Sequence, residues 1–146
     1  MPISSTVKAV PRSGIRDVFD RALAADDVIS LCVGEPGHTA APYIVEAAVQ
    51  AARDGKTKYS NINGIPAFRE AAADYTRRVK HLDYDPRTEI QAVDGGTIGL
   101  FLAISTVVAP GDEVIVPSPY FTSYTASVIM CGGKPVPVAL KREQGM

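Results

Sequence analysis

Ile90-Gln91-Ala92-Val93, then Asp94-Gly95-Gly96-Thr97, then the run from Ile98 to Val108 decide how this chain folds. The first four residues read as a short apolar strand, and the final run reads as a strongly apolar helix. A strand, a small-residue turn and a helix N-terminus together make an anion site. Unpaired backbone N–H groups point outward there, and the helix dipole favours negative charge. Two glycines let a phosphate approach the backbone, and the Thr97 hydroxyl adds a donor. The same residues also make a plain strand-to-helix turn capped by Thr97 or Asp94, and the local pattern leaves both readings open.

Downstream, strand and helix alternate strictly. Glu89–Val93 leads into a helix over 97–108. Pro110-Gly111-Asp112 turns into a strand over Glu113–Val116. A helix from Thr122 to Met130 ends at Gly132-Gly133, and a strand over Pro135–Leu140 follows. Strands separated by single helices imply parallel pairing with right-handed crossovers, hence an α/β fold. The expected architecture is three-layer and doubly wound, a mostly parallel sheet covered by helices on both faces.

Upstream, residues 1–13 are polar, with Pro2 and Pro11, and read as a mobile arm. Ser13 is placed to cap a helix over Ile15–Ala24, and Val28–Val33 reads as a strand ending at the turn Gly34-Glu35-Pro36-Gly37. Pro42 opens a helix to Arg53, stopped by Gly55; a polar loop runs from Lys56 to Gly64. Pro66 opens an amphipathic helix through Val79.

The chain has 146 residues, 46% of them hydrophobic, and a net charge of −1. A near-neutral charge gives no reason to expect nucleic acid or an anionic membrane as partner. No apolar run approaches the roughly 20 residues of a membrane span. Cys32 and Cys131 stand far apart in apolar contexts, which suits free thiols in a reducing, cytoplasmic setting. His38 and His81 have no ligand at metal-binding spacing, so no metal site is expected.

The helix with Ile98, Leu100, Phe101, Leu102, Ile104, Val107 and Val108 has almost no polar face. Such a helix is buried on several sides, and three strands with two flanking helices cannot enclose it. The expectation is that these residues are the front part of a larger protein, the alternative being burial of this helix in an oligomer interface.

A series of short motifs carries a family resemblance. Ile29-Ser-Leu-Cys-Val-Gly34-Glu35-Pro36 comes first, followed by Gly55-Lys-Thr-Lys-Tyr59 and Gly64-Ile-Pro-Ala-Phe-Arg-Glu70. Gly95-Gly-Thr97, Pro110-Gly-Asp-Glu-Val-Ile-Val-Pro117, Pro119-Tyr-Phe-Thr-Ser-Tyr124 and Gly132-Gly-Lys-Pro-Val-Pro-Val138 complete it in order. From about Ile15 onward, the chain resembles the N-terminal portion of a class I/II, fold-type I aminotransferase dependent on pyridoxal phosphate.

The resemblance implies roles for individual residues. Gly95, Gly96 and Thr97 match the loop holding the cofactor phosphate. Phe121 matches the aromatic stacked on the pyridine ring, where a flat apolar surface orients the cofactor and excludes water; read alone, it is equally a core residue. Tyr59 matches a tyrosine reaching the phosphate in a neighbouring subunit, and Gly34 a residue whose amide meets the substrate carboxylate. Asn61 and Asn63 share the Tyr59 loop and line the partner's site. Ile15 is an apolar lid near the substrate, or a helix-core residue. Tyr124 supports the ring-stacking segment. By the same resemblance, residues 1–40 are an N-terminal arm, helix and strand on the substrate side, in the small domain. Residues 41–146 are the first part of the cofactor-binding large domain. Two departures stand out: Gly37-His38-Thr39 replaces an acidic and aromatic pair, which bears on substrate preference. Ile98-Gly99 replaces a polar or small pair at the edge of the phosphate loop.

The implied reaction is transfer of an amino group from an amino acid to a 2-oxo acid through a pyridoxal-phosphate Schiff base, in a homodimer with shared active sites. None of the six lysines, Lys8, Lys56, Lys58, Lys80, Lys134 and Lys141, matches the family's Schiff-base lysine. The 146-residue chain is therefore expected to be inactive alone. Two other functions share the scaffold: a C–S lyase using the same cofactor, and a non-catalytic phosphate-binding or dimerisation module. A dinucleotide site is disfavoured, because Gly95-Gly96-Thr97-Ile98-Gly99 lacks the full Gly-x-Gly-x-x-Gly pattern.

Overall fold

The structure, a computed structural model, describes residues 1–32 and 34–145. Its elements are α1 (Ser5–Ala9), α2 (Gly14–Leu23), α3 (Pro42–Arg53), α4 (Pro66–Lys80), α5 (Gly96–Val107), β1 (Glu113–Ser118), α6 (Ser123–Met130) and β2 (Lys134–Ala139), with a 3-10 turn at Arg142–Gln144. They fall into two compact units. One comprises Met1–Cys32 with Asp94–Met146, the other Val33–Val93.

In the first unit, β1 and β2 form a two-stranded parallel sheet, in register from Glu113 opposite Lys134 to Ser118 opposite Ala139. α6 is the crossover between them and packs on both strands, on α5 and on α1. Its Val128, 1% exposed, is the most buried residue of the unit's core, and Val116 of β1 and Thr125 and Ser127 of α6 are buried as well. Gly132 ends α6 at a φ of 82°. Gly133 returns its amide to the Val128 carbonyl at 2.9 Å. A Cβ at Gly133 would stand 2.8 Å from Val108 Cγ1 and 3.0 Å from Val128 Cγ1, so only glycine lets the chain pass here. Lys134 then donates to the Asp112 carbonyl at 2.7 Å and starts β2.

Several expectations need correction. The arm at 1–13 contains α1, because the Ser4 hydroxyl accepts the Val7 amide and the helix rests on α6. Ser13 stands at the N-cap of α2 but makes no capping bond. The runs 28–32 and 89–93 join no ladder. A strand needs a partner edge, and among the described residues neither run has one; Val33, the last residue of the first run, lies outside the described residues. Mixed α/β structure and parallel pairing are present, while the sheet is smaller than the alternation implies. No side chain of α5 is buried, and Ile98, Leu102 and Val107 are exposed.

In the second unit, prolines open both helices, Pro42 in α3 and Pro66 in α4. α4 buries Ala73 and, unusually for a charged side chain, Arg69, which is 8% exposed. Arg69 Nη1 donates to the carbonyls of Pro86 (2.8 Å) and Arg87 (3.2 Å), while its buried Nε has no partner. The turn it grips is tied internally by Asp85, whose carboxylate accepts the Arg87 amide at 2.8 Å and the Thr88 hydroxyl at 3.2 Å. Those bonds, the Arg87 amide foremost, hold the Asp85 carboxyl below its usual range against some desolvation. Gly64 has a φ of 93°, and a Cβ there would lie 2.5 Å from Ala92 Cβ. The 61–64 turn is closed onto the following segment by the Ala92 amide, which donates to the Asn63 carbonyl at 3.0 Å.

Candidate functional site

The N-terminus of α5 is left open by its own sequence. Gly95, the N-cap, has φ 95° and ψ 160°, and no side chain caps the helix, so neither Asp94 nor Thr97 fills the capping role. The first helical bond runs from the Gly99 amide to the Gly95 carbonyl. The amides of Gly96, Thr97 and Ile98 therefore precede the intrahelical ladder. Nothing lies within 4 Å of a Cβ placed on Gly95 or Gly96.

This end of α5 borders a cavity of about 420 Å³ lined by Gly96, Thr97, Leu100, Phe121 and Tyr124. Phe121 is half-exposed and immediately precedes Thr122, the N-cap of α6. Tyr124 meets it edge-on, with ring centroids 6.1 Å apart and planes at 76°. That geometry suits a supporting contact between the rings. No acidic or basic side chain lines the cavity. Its electrostatics come from the positive end of the α5 dipole. The arrangement can hold an anionic group at backbone amides and a flat apolar ring beside an aromatic side chain.

Of the residues singled out from sequence, Gly96, Thr97 and Phe121 thus share one cavity, with Gly95 shaping its turn. Leu100 was not anticipated, although it is four residues beyond Gly96 and so on the same helix face. A smaller apolar cavity of about 180 Å³ also takes Leu100 and Tyr124 into its lining, together with β1 side chains. Ile15 lies at the start of α2, exposed, and does not line the larger cavity.

Gly34, Tyr59 and Asn61 belong to the other unit. Tyr59 is fully exposed in a surface hollow with Thr57, Lys58 and Ser60. Asn61 Oδ1 accepts the Asn63 amide at 2.9 Å, and its carbonyl accepts the Gly64 amide at 2.8 Å. Gly34 is exposed, with no positive φ and nothing within 4 Å of a Cβ, so this chain's own packing does not require glycine there. Among the described residues no cluster of His, Cys, Asp or Glu could hold a metal, and no helix is long and apolar enough to cross a membrane.

Comparison with known proteins places this geometry in context. Aspartate aminotransferase of Pyrococcus abyssi is 37% identical over 143 residues, covering 98% of this chain and 37% of that protein. Aromatic-amino-acid aminotransferase 2 of Thermococcus litoralis is 37% identical over 143 residues, with 98% and 37% covered. Among solved structures, the aspartate aminotransferase from Thermus thermophilus with maleate superposes with a TM-score of 0.91 at 38% identity, covering 99% of this chain and 39% of that one. The aspartate aminotransferase from Rhizobium meliloti gives a TM-score of 0.91 at 34% identity, covering 99% and 37%. The chain thus spans about 37% of the length of the relatives it matches, and it shares the fold of their fold-type I structures over that part. The sequence pattern of "Aminotransferase class I and II" matches residues 26–146, and the chain belongs to that family.

Proposed function

We propose that these residues serve an enzyme that moves an amino group from an amino acid to a 2-oxo acid, with pyridoxal phosphate held at the open end of α5. The observation that carries this reading is the single cavity shared by Gly96, Thr97 and Phe121. Members of the family use pyridoxal phosphate. The residues present suit that group: uncapped amides and a hydroxyl for its phosphate, an aromatic side chain for its ring, and no Cβ at Gly95 or Gly96 to hold the phosphate off. When bound, the cofactor supplies the electron sink for loss of the substrate's Cα proton.

The roles of this chain's own residues follow. The amides of Gly96 and Thr97 and the Thr97 hydroxyl donate to the phosphate. Phe121 lies on the ring and keeps water from one face, and Tyr124 steadies Phe121. The Gly34 amide meets the substrate carboxylate, and Ile15 covers the substrate. Tyr59 and Asn61 act in the site of a second protomer, so the working form is a homodimer. Residues 1–40 belong with the small, substrate-side domain and 41–146 with the cofactor-binding domain. The lysine that bonds the cofactor lies in a part of the protein beyond these residues. The relatives' names point to aspartate and aromatic amino acids as donors to test first.

The test uses the complete protein with pyridoxal phosphate, a 15N-labelled amino acid and a 2-oxo acid. The expected result is 15N in the amino acid formed from the 2-oxo acid. Release of free ammonia with cleavage of the donor side chain would assign the lyase chemistry instead. No turnover and no cofactor binding would leave only the interaction-module reading.

A further inference from the structure

We infer that Ser13 and Thr122 form a latch that registers the Ile15 end of α2 with the Phe121 end of α6, making Ser13 a positioning residue for the cofactor-facing aromatic. This rests on the cofactor reading above for the role of Phe121, but not for the latch itself.

Ser13 and Thr122 are the N-cap residues of α2 and α6. Serine and threonine are strong capping residues whose hydroxyls usually accept an amide of their own helix. Neither does so here. Instead the Thr122 hydroxyl donates to the Ser13 hydroxyl oxygen at 3.3 Å, a part-buried bond across 109 positions of sequence. α1, just upstream of Ser13, rests on α6 as a second point of attachment. Phe121 precedes Thr122 and Ile15 follows Ser13 by two residues, so the bond joins the helix ends that carry both side chains. Phe121 has one aromatic neighbour, Tyr124, and is half-exposed. A side chain so lightly packed depends on its backbone for its position, and the latch fixes that backbone from outside α6.

The test compares Ser13→Ala, Thr122→Val, the double variant and Ser13→Thr in the full chain. Amide hydrogen exchange at Lys8 and Val10, which donate to the Ser4 and Val7 carbonyls at 3.1 and 3.2 Å in α1, is read beside equilibrium binding of pyridoxal phosphate. A single net hydrogen bond corresponds to about a fivefold effect. Each single alanine or valine variant should speed exchange at Lys8 and Val10 by about that factor and weaken cofactor binding in parallel. The double variant should do no more than either, and Ser13→Thr, which keeps the hydroxyl, should retain the exchange protection and the affinity of the unmodified protein. The amide of Leu140, bonded across the sheet to the Ser118 carbonyl, is the control for general destabilisation and should speed by no more than the same factor. Unchanged exchange at Lys8 and Val10 in Ser13→Ala, or additive effects in the double variant, would overturn the latch. Released exchange with unchanged cofactor affinity would overturn the positioning role while leaving the cofactor reading intact. Failure of the unmodified protein to bind the cofactor, with the exchange coupling preserved, would end the cofactor reading and with it the positioning role, leaving only the structural latch.

Discussion

Gly95 has φ 95° and ψ 160°, a region in which an L side chain is strained, whereas Gly96 is an ordinary first helical residue with open space around it. The two substitutions should separate stability from binding. Gly95→Ala should cost about 1–3 kcal/mol of folding stability in denaturant melts. Gly96→Ala should leave stability unchanged or raise it by about 0.5–1 kcal/mol, since alanine suits a helix better than glycine. It nevertheless adds a methyl to a residue lining the cavity, so pyridoxal phosphate should bind more weakly in an equilibrium titration. Equal affinity in Gly96→Ala would remove that amide from the phosphate contact. The turn was legible because glycine pairs before an apolar run have few uses. Arg69 was not: its burial depends on the carbonyls of Pro86 and Arg87, brought to it by a turn that no local pattern around Arg69 announces. Nor was the Ser13–Thr122 bond, since each residue reads locally as a helix cap.

At the scale of elements, helices with proline starts and glycine stops fell where sequence placed them, because those signals are local. Strands are relations between segments, so the runs 28–32 and 89–93 could not be judged alone. β2 shows how a pairing relation is nonetheless written in residues. Lys134 and Leu140 donate toward β1, so by strand alternation Val136 and Val138 do too. Pro135 and Pro137 then fall on the opposite edge, where a missing N–H costs the existing ladder nothing. Proline at such positions blocks further pairing. By the same alternation Pro117 lies on the free edge of β1, so the free edge of β2 lacks two donors where that of β1 lacks one. Replacing both prolines with valine should keep the β1–β2 register and raise self-association, read by sedimentation velocity against concentration. Loss of folding without association would mean that the prolines instead fix the strand's own conformation.

At the scale of the whole molecule, the apolar character of α5 implied a covering that these residues do not provide, since none of its side chains is buried. The same shortfall bears on chemistry. A lysine that forms an imine with a cofactor is activated by a desolvated pocket or by neighbouring cations. All six lysines here are exposed, and none lines the cavity at Gly96, Thr97 and Phe121. Residues 1–146 alone should therefore turn over no amino acid when given pyridoxal phosphate. Borohydride reduction followed by peptide mapping should find substoichiometric label spread over several surface lysines. The exposed side chains Ile98, Leu102, Val107 and Ile115 should bind a hydrophobic dye and drive association. One lysine labelled to a full equivalent, with turnover, would overturn the argument: it would place a complete catalytic set among residues whose cavity at Gly96, Thr97 and Phe121 contains no amine.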